Sequence, residues 1–166
     1  MNTILKKIQI FFLLIVLLFS AQTFALEVGE QFLLKDVRLI DGQTLTAQHF
    51  KNKYLIIEVW ATWCPYCHRQ NANLEKLHQL ISSSKSDLEI LTISVDKDPH
   101  SVEDYLKVNE FNFPVAMMSN ELSAMIGKRR GIPELYVIDR AGKVVQKDYG
   151  LMVTADFEEL IRYSKK

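Results

Sequence analysis

At 166 residues, 48% of them hydrophobic, the chain has apolar material for one core and the length of one domain. Lysine plus arginine and aspartate plus glutamate number 20 each. With no basic field to meet phosphates, the balance argues against nucleic acid as a partner.

Residues 1–25 stand apart from the rest. Lys6 and Lys7 precede the unbroken apolar run Ile10–Phe19, and Ser20–Ala25 ends in small residues. This pattern reads as a secretory signal peptide cut between Ala25 and Leu26. The run is short for a bilayer span of roughly 20 residues, and an uncleaved membrane anchor is the alternative. Neither cysteine lies near it, so no lipid-modified anchor cysteine is available. Residues 26–166 are then a single domain working outside the cytoplasm, in a bacterium the periplasm, where disulfides persist.

From Val28 the predicted elements follow without repeat or linker. Gln31–Ile40 and Gln43–Thr46 flank Asp41-Gly42, a pair that favours a hairpin with positive φ at both turn positions. Tyr54–Trp60 is aromatic and β-branched on both faces, as in a buried central strand. Leu74, Leu77, Leu80 and Ile81 then recur at helical spacing, predicting a helix from about Pro65 to Ser82 with proline in its first turn. Leu88–Val95 reads as a second interior strand. Asp98-Pro99 breaks the chain, Ser101 is the expected N-cap of a helix over Val102–Val108, Phe113–Met117 is extended, and Leu122–Ile126 is a short helix. Leu135–Asp139 and Val144–Tyr149 form a second hairpin about Arg140–Lys143, and Thr154 caps a last helix to about Tyr163. Strands separated by helices require crossovers, hence an α/β fold with a mixed sheet covered on both faces.

The only cysteines, Cys64 and Cys67, fall between the central strand and the helix. A structural staple this short contributes roughly 2 kcal/mol at most, against about 4.7 for a hundred-residue loop, and a strained exposed disulfide is a reactive one. At a helix start, unpaired N–H groups and the dipole favour a thiolate. Cys64 is therefore the candidate nucleophile and Cys67, a turn later, the resolving thiol. His68, if protonated, would add to this stabilisation; otherwise it is a solvated side chain. Glu58 sits inside the apolar strand, where a buried carboxyl can reach a pKa of about 8 to 9. It is the candidate acceptor of the Cys67 proton, the alternative being an edge carboxylate paired with Lys53. Trp60 is expected in the core and Trp63 over the site. Lys128-Arg129-Arg130 reads as a solvated turn, or as a lure for acidic clients.

These residues resemble the thioredoxin superfamily, most closely its TlpA-like branch of exported thiol-disulfide oxidoreductases. VWATWCPYC looks like that branch's strand-loop-helix site, and GIPELYVID (Gly131–Asp139) like its second signature; the likeness spans nearly all of Leu26–Lys166. The resemblance implies a thioredoxin-like fold with an N-terminal hairpin and an inserted helix and short strand. It implies Cys64 as attacking thiol, Cys67 as resolving thiol, Glu58 as the buried acid, and Pro133 as a cis-proline facing the disulfide. Trp63, Pro65, Tyr66, Ile132 and Pro133 then form the client-binding surface. No cofactor beyond the redox-active disulfide is implied. The expected partners are cysteine-containing exported proteins and a membrane or periplasmic thiol electron donor or acceptor, with the protein a monomer. Two departures stand out: Ala72 replaces the usual helix proline, and Glu134 follows Pro133, where it would put a negative charge beside the groove.

Other readings remain at this point. CPYCH also spells covalent haem attachment, with His68 and Met117, Met118, Met125 or Met152 as axial ligands; a strand running straight into the motif opposes it. Zinc would need a second ligand pair, which His49, His68, His78 and His100 do not form. A thiol-dependent adaptor or chaperone without turnover is the non-enzymatic alternative.

Overall fold

The computed structural model describes residues 25–84 and 86–165. In chain order the elements are β1 (Val37–Arg38), β2 (Thr44–Leu45), β3 (Tyr54–Trp60), α1 (Pro65–Ser82), β4 (Leu88–Ser94), α2 (Pro99–Asn109), β5 (Val115–Met117), α3 (Asn120–Ile126), β6 (Glu134–Ile138), β7 (Val144–Tyr149) and α4 (Thr154–Glu158). A 3-10 turn at Ala47–Phe50 precedes β3, and a 3-10 segment, Glu159–Lys165, follows α4. The segment read as a secretory signal lies outside the described residues except for Ala25.

β3 lies at the centre of a five-stranded sheet of order β5-β4-β3-β6-β7, parallel to β4 and antiparallel to β6. Its alternate side chains point to opposite faces. Ile56 and Trp60 meet α1, α2 and the C-terminal segment through Cys67, Leu74, Val102, Phe157 and Leu160. Leu55, Ile57 and Val59 meet Phe32, Phe50, Leu122 and Ile126 on the other face. Burial on both faces explains why Tyr54–Trp60 reads as apolar throughout. Parallel pairing of β3 with β4 brings the C-terminal ends of both strands to one edge, and α1 leaves β3 there. This places the cysteine motif at the rim of the sheet, as a crevice at strand C-termini requires.

The structure corrects four local expectations. Gln31–Ile40 is not one strand: only Val37↔Leu45 and Arg38↔Thr44 pair as a hairpin, whereas Leu39 bridges Ala116 and the Ile40 N–H donates to the Val115 carbonyl. Leu39 N–H still donates across the turn to the Gln43 carbonyl (2.8 Å), and docking onto the edge strand β5 takes Ile40 out of the hairpin ladder. Asp41 does not take positive φ; Gly42 alone does (φ 86°). Gly42 N–H donates to the Leu39 carbonyl, and Asp41 Oδ1 accepts from Gln43 N–H instead of forcing a mirror-image turn. The cap of α2 is Asp98, whose carboxylate accepts from His100 N–H (3.1 Å) and Ser101 Oγ (3.0 Å). The helix starts earlier than expected because Pro99, lacking an N–H, fits its first position. Thr154 is the first residue of α4 rather than its cap, and Val153 at the cap position makes no side-chain bond. Ala72, in place of a proline, leaves α1 one uninterrupted helix.

Candidate active site

Cys64 occupies the N-cap of α1 in an extended conformation (φ −96°, ψ 108°), with Pro65 opening the helix. It is joined to Cys67 as a disulfide, their Cα atoms 5.2 Å apart. Cys64 Sγ accepts from Cys67 N–H at 3.2 Å. A sulfur in this position meets the unpaired donors and positive end of an 18-residue helix, which favour an anion. Cys64 keeps 4% of its surface exposed while Cys67 is fully buried. An incoming disulfide therefore meets Cys64 first.

The Ile132-Pro133 bond is cis, and the Ile132 carbonyl lies 3.8 Å from Cys64 Sγ. The Pro133 carbonyl accepts from Gly150 N–H (2.8 Å), which ties this loop to the end of β7. Around the disulfide, Trp63 is 67% and Tyr66 57% exposed, and Pro65 is exposed. The structure thus brings Trp63, Pro65, Tyr66, Ile132 and Pro133 together, and Trp60 lies in the core. Tyr149, which the sequence did not single out, is exposed beside the same loop. A Cβ at Gly131 would fall 2.7 Å from its Oη, so the glycine permits that close approach.

Glu58 is fully buried on the face of β3 that carries Ile56 and Trp60. Burial pushes its carboxyl up to about 8, partly offset by the neighbouring Gln70 side chain. Gln70 Nε2 itself makes no hydrogen bond. Lys53 pairs instead with Glu89 (2.6 Å), which removes the edge-pair reading. With the Asn71 amide oxygen turned to Tyr105 Oη, its nitrogen donates to Glu58 Oε1 (3.2 Å) and the Cys67 carbonyl (3.3 Å). One amide therefore links the acid to the backbone of the resolving cysteine. Asn71 and Gln70 escaped the sequence reading although their spacing offered a signal. They stand three and four residues after Cys67 and three and four before Leu74, on the helix's buried stripe.

His68 is exposed, with Nε2 2.5 Å from the Thr62 carbonyl and its ring 5.1 Å from that of Tyr105. Lys128 and Arg130 are exposed as a turn would have them, but Arg129 turns inward and buries Nη1. Glu134 does not face the groove. It is fully buried, with Oε1 3.4 Å from Lys147 Nζ, on the face of β6 shared with Tyr136 and opposite to α1. The register explains this: the residue after Pro133 begins β6 and must alternate with Leu135, which packs under α1. Burial, with Glu134 adding, raises the Tyr136 phenol above its ordinary range. Among the described residues, no three His, Cys, Asp or Glu side chains gather as a metal site.

Comparison with known proteins agrees with this arrangement. The Redoxin family matches residues 27–161. The thiol-disulfide oxidoreductase ResA of Bacillus thuringiensis subsp. konkukian (strain 97-27) is 25% identical over 143 residues, which cover 82% of this chain and 78% of the relative. A thiol:disulfide interchange protein of the thioredoxin family from Chlorobium tepidum TLS superposes with a TM-score of 0.74 at 24% identity, covering 86% of this chain and 100% of that one. StoA from Bacillus subtilis does so with a TM-score of 0.64 at 22% identity, covering 80% and 96%. The chain belongs to the Redoxin family and is a thioredoxin-fold oxidoreductase of the TlpA-like kind.

Proposed function

We propose that the protein is an exported thiol-disulfide oxidoreductase that reduces disulfides of cysteine-containing client proteins. One observation carries this: a disulfide capping α1, with its outer sulfur 3.8 Å from the carbonyl that precedes a cis-proline. The name of the ResA relative supports the same chemistry. In the dithiol form the Cys64 thiolate attacks one client sulfur, giving a mixed disulfide and releasing the other client sulfur as a thiolate. Cys67 then attacks Cys64 Sγ, closing the ring and expelling the second client thiolate, while Glu58 takes the Cys67 proton. The client gains two electrons and the cysteine pair loses them. A membrane or periplasmic thiol donor restores the dithiol.

Glu58 suits the proton step because a carboxyl held at about 8 can accept a proton near neutral pH and pass it on. Export is supported by the order of charged, apolar and small residues in 1–25; Leu26 beyond it is held in the domain, its N–H donating to the Ile126 carbonyl (2.9 Å) and its carbonyl accepting from Lys147 Nζ (2.8 Å). Cleavage before Leu26 would leave those contacts in place. Sequencing the mature protein from the exported fraction should therefore find Leu26 first; an intact residue 1 there would favour the anchor.

The reduced protein is expected to reduce insulin catalytically. Cys67→Ser should instead accumulate a mixed disulfide through Cys64, and Cys64→Ser should form none. Binding of clients by an intact dithiol without turnover would establish the adaptor reading.

A further inference from the structure

Thr62, two residues before Cys64, has every polar atom engaged. Its N–H donates to Asp96 Oδ2 (2.9 Å), its Oγ1 donates to Asp96 Oδ1 (2.7 Å), and its carbonyl faces His68 Nε2 (2.5 Å). Asp96 is fixed in turn by Ser94, the fully buried last residue of β4: Ser94 Oγ donates to Asp96 Oδ2 (2.7 Å) and accepts from Asp96 N–H (3.0 Å). Ser94 pairs with Trp60 across the β3–β4 ladder, and Val95 N–H donates to the Trp60 carbonyl (2.9 Å). A half-buried carboxylate anchored to the rim of the sheet thus holds the loop that carries Cys64, and it accepts three hydrogen bonds in doing so.

We propose that Asp96 is a positioning residue of the redox site that acts through Thr62, and that its fixed negative charge keeps the Cys64–Cys67 pair reducing. A charge beside Cys64 disfavours its thiolate. Destabilising the thiolate destabilises the reduced form, which shifts the couple toward the disulfide; stabilising the reduced form is what makes a strong oxidant. The opposing influences are the N-terminus of α1, His68 on the Thr62 carbonyl, Arg69 over the Tyr66 ring (5.5 Å), and Lys128 and Arg130 ahead of the cis-proline loop. Glu58, linked through Asn71 to the Cys67 backbone, sits on the buried side, where burial favours its neutral form. Asp96 is the carboxylate bonded to the loop that leads into the nucleophile. The inference deepens the proposed reductase reading and rests on it for direction, but its observable is a property of the cysteine pair alone.

The test combines redox equilibration against glutathione with ultraviolet titration of the Cys64 thiolate in the full-length protein and three variants. Asp96→Asn removes the charge. It should raise the acid dissociation constant of the Cys64 thiol about tenfold and, at a pH where the thiolate predominates, move the couple about tenfold toward the dithiol, about 30 mV more oxidising. Thr62→Val keeps the charge but removes the Oγ1 bond; it should leave the equilibrium near the parent's and slow exchange several-fold, while Thr62→Ser restores the rate. Folded Asp96→Asn with unchanged titration and equilibrium would overturn the proposal. Should that variant not fold, Thr62→Val exchanging as fast as the parent would overturn the tether. A parent protein that shows the expected variant shifts but never reduces client disulfides would sink the reductase reading and leave this inference standing.

Discussion

Glu58 sits where a carboxyl is costly, since no cation among the described residues pairs with it and burial raises its pKa from 4.5 to about 8. The folded-state value lies above the unfolded one, so folding favours the protonated acid. That contribution is complete below about pH 4.5 and is lost as pH rises through about 8, at a cost on the order of 5 kcal/mol once the group ionises fully. Glu58→Gln should therefore become more stable relative to the parent as pH rises from 5 to 9, and chemical denaturation across that range checks it. Parallel stabilities would mean the carboxyl is not the buried acid described. The same variant should exchange thiols more slowly near neutral pH, with the deficit shrinking as solvent hydroxide takes over the proton. Glu58 was legible as a charge inside an apolar run. Its partners were not, because Gln70, Asn71 and Tyr105 are ordinary residues on amphipathic helices and only packing turns them inward.

At the scale of elements, α1 carries the chemistry and is anchored at two depths. Its first turn caps on Cys64, and a later turn reaches across to the loop between α2 and β5. There the buried Glu75 carboxylate accepts from Asn112 N–H (2.8 Å) and Phe113 N–H (3.2 Å). Burial alone would raise the Glu75 carboxyl, but the Asn112 N–H, the Gln79 and Asn112 side chains and nearby His78 outweigh it and lower the pKa. Glu75→Ala should leave two backbone donors near Phe113 without a partner and cost about 1–3 kcal/mol, read by denaturant unfolding; a change within experimental error would show that water replaces the carboxylate freely. The period of Leu74, Leu77 and Ile81 made α1 readable almost to the residue. The opening hairpin was overread because Leu39 and Ile40 pair with β5, a partner far away in the sequence that no local pattern reveals. The caps of α2 and α4 were misplaced for a similar reason: Asp98 and Ser101 both suit a cap, and Pro99 decides between them.

For the whole molecule, the alternation of strands and helices was enough to require a mixed, doubly covered sheet, and β3 is at its centre as its two-faced apolar pattern demands. The juxtaposition of Cys64 with Ile132-Pro133 was not derivable from composition or period, since the elements meet only when β6 pairs antiparallel with β3. Resemblance supplied that expectation, and the geometry agrees with it. The inward turn of Glu134 is the reverse case: adjacency to Pro133 in sequence suggested the groove, and strand alternation sent the side chain to the opposite face. In the assembled site the N-terminus of α1 favours a thiolate at Cys64 while Asp96 opposes one, and this carboxylate sets the balance. The most direct test is the equilibrium reduction potential of the Cys64–Cys67 pair against a glutathione or dithiothreitol buffer. A reductant is predicted, with a value of about −270 mV; a value of about −120 mV, that of a strong oxidant, would contradict it.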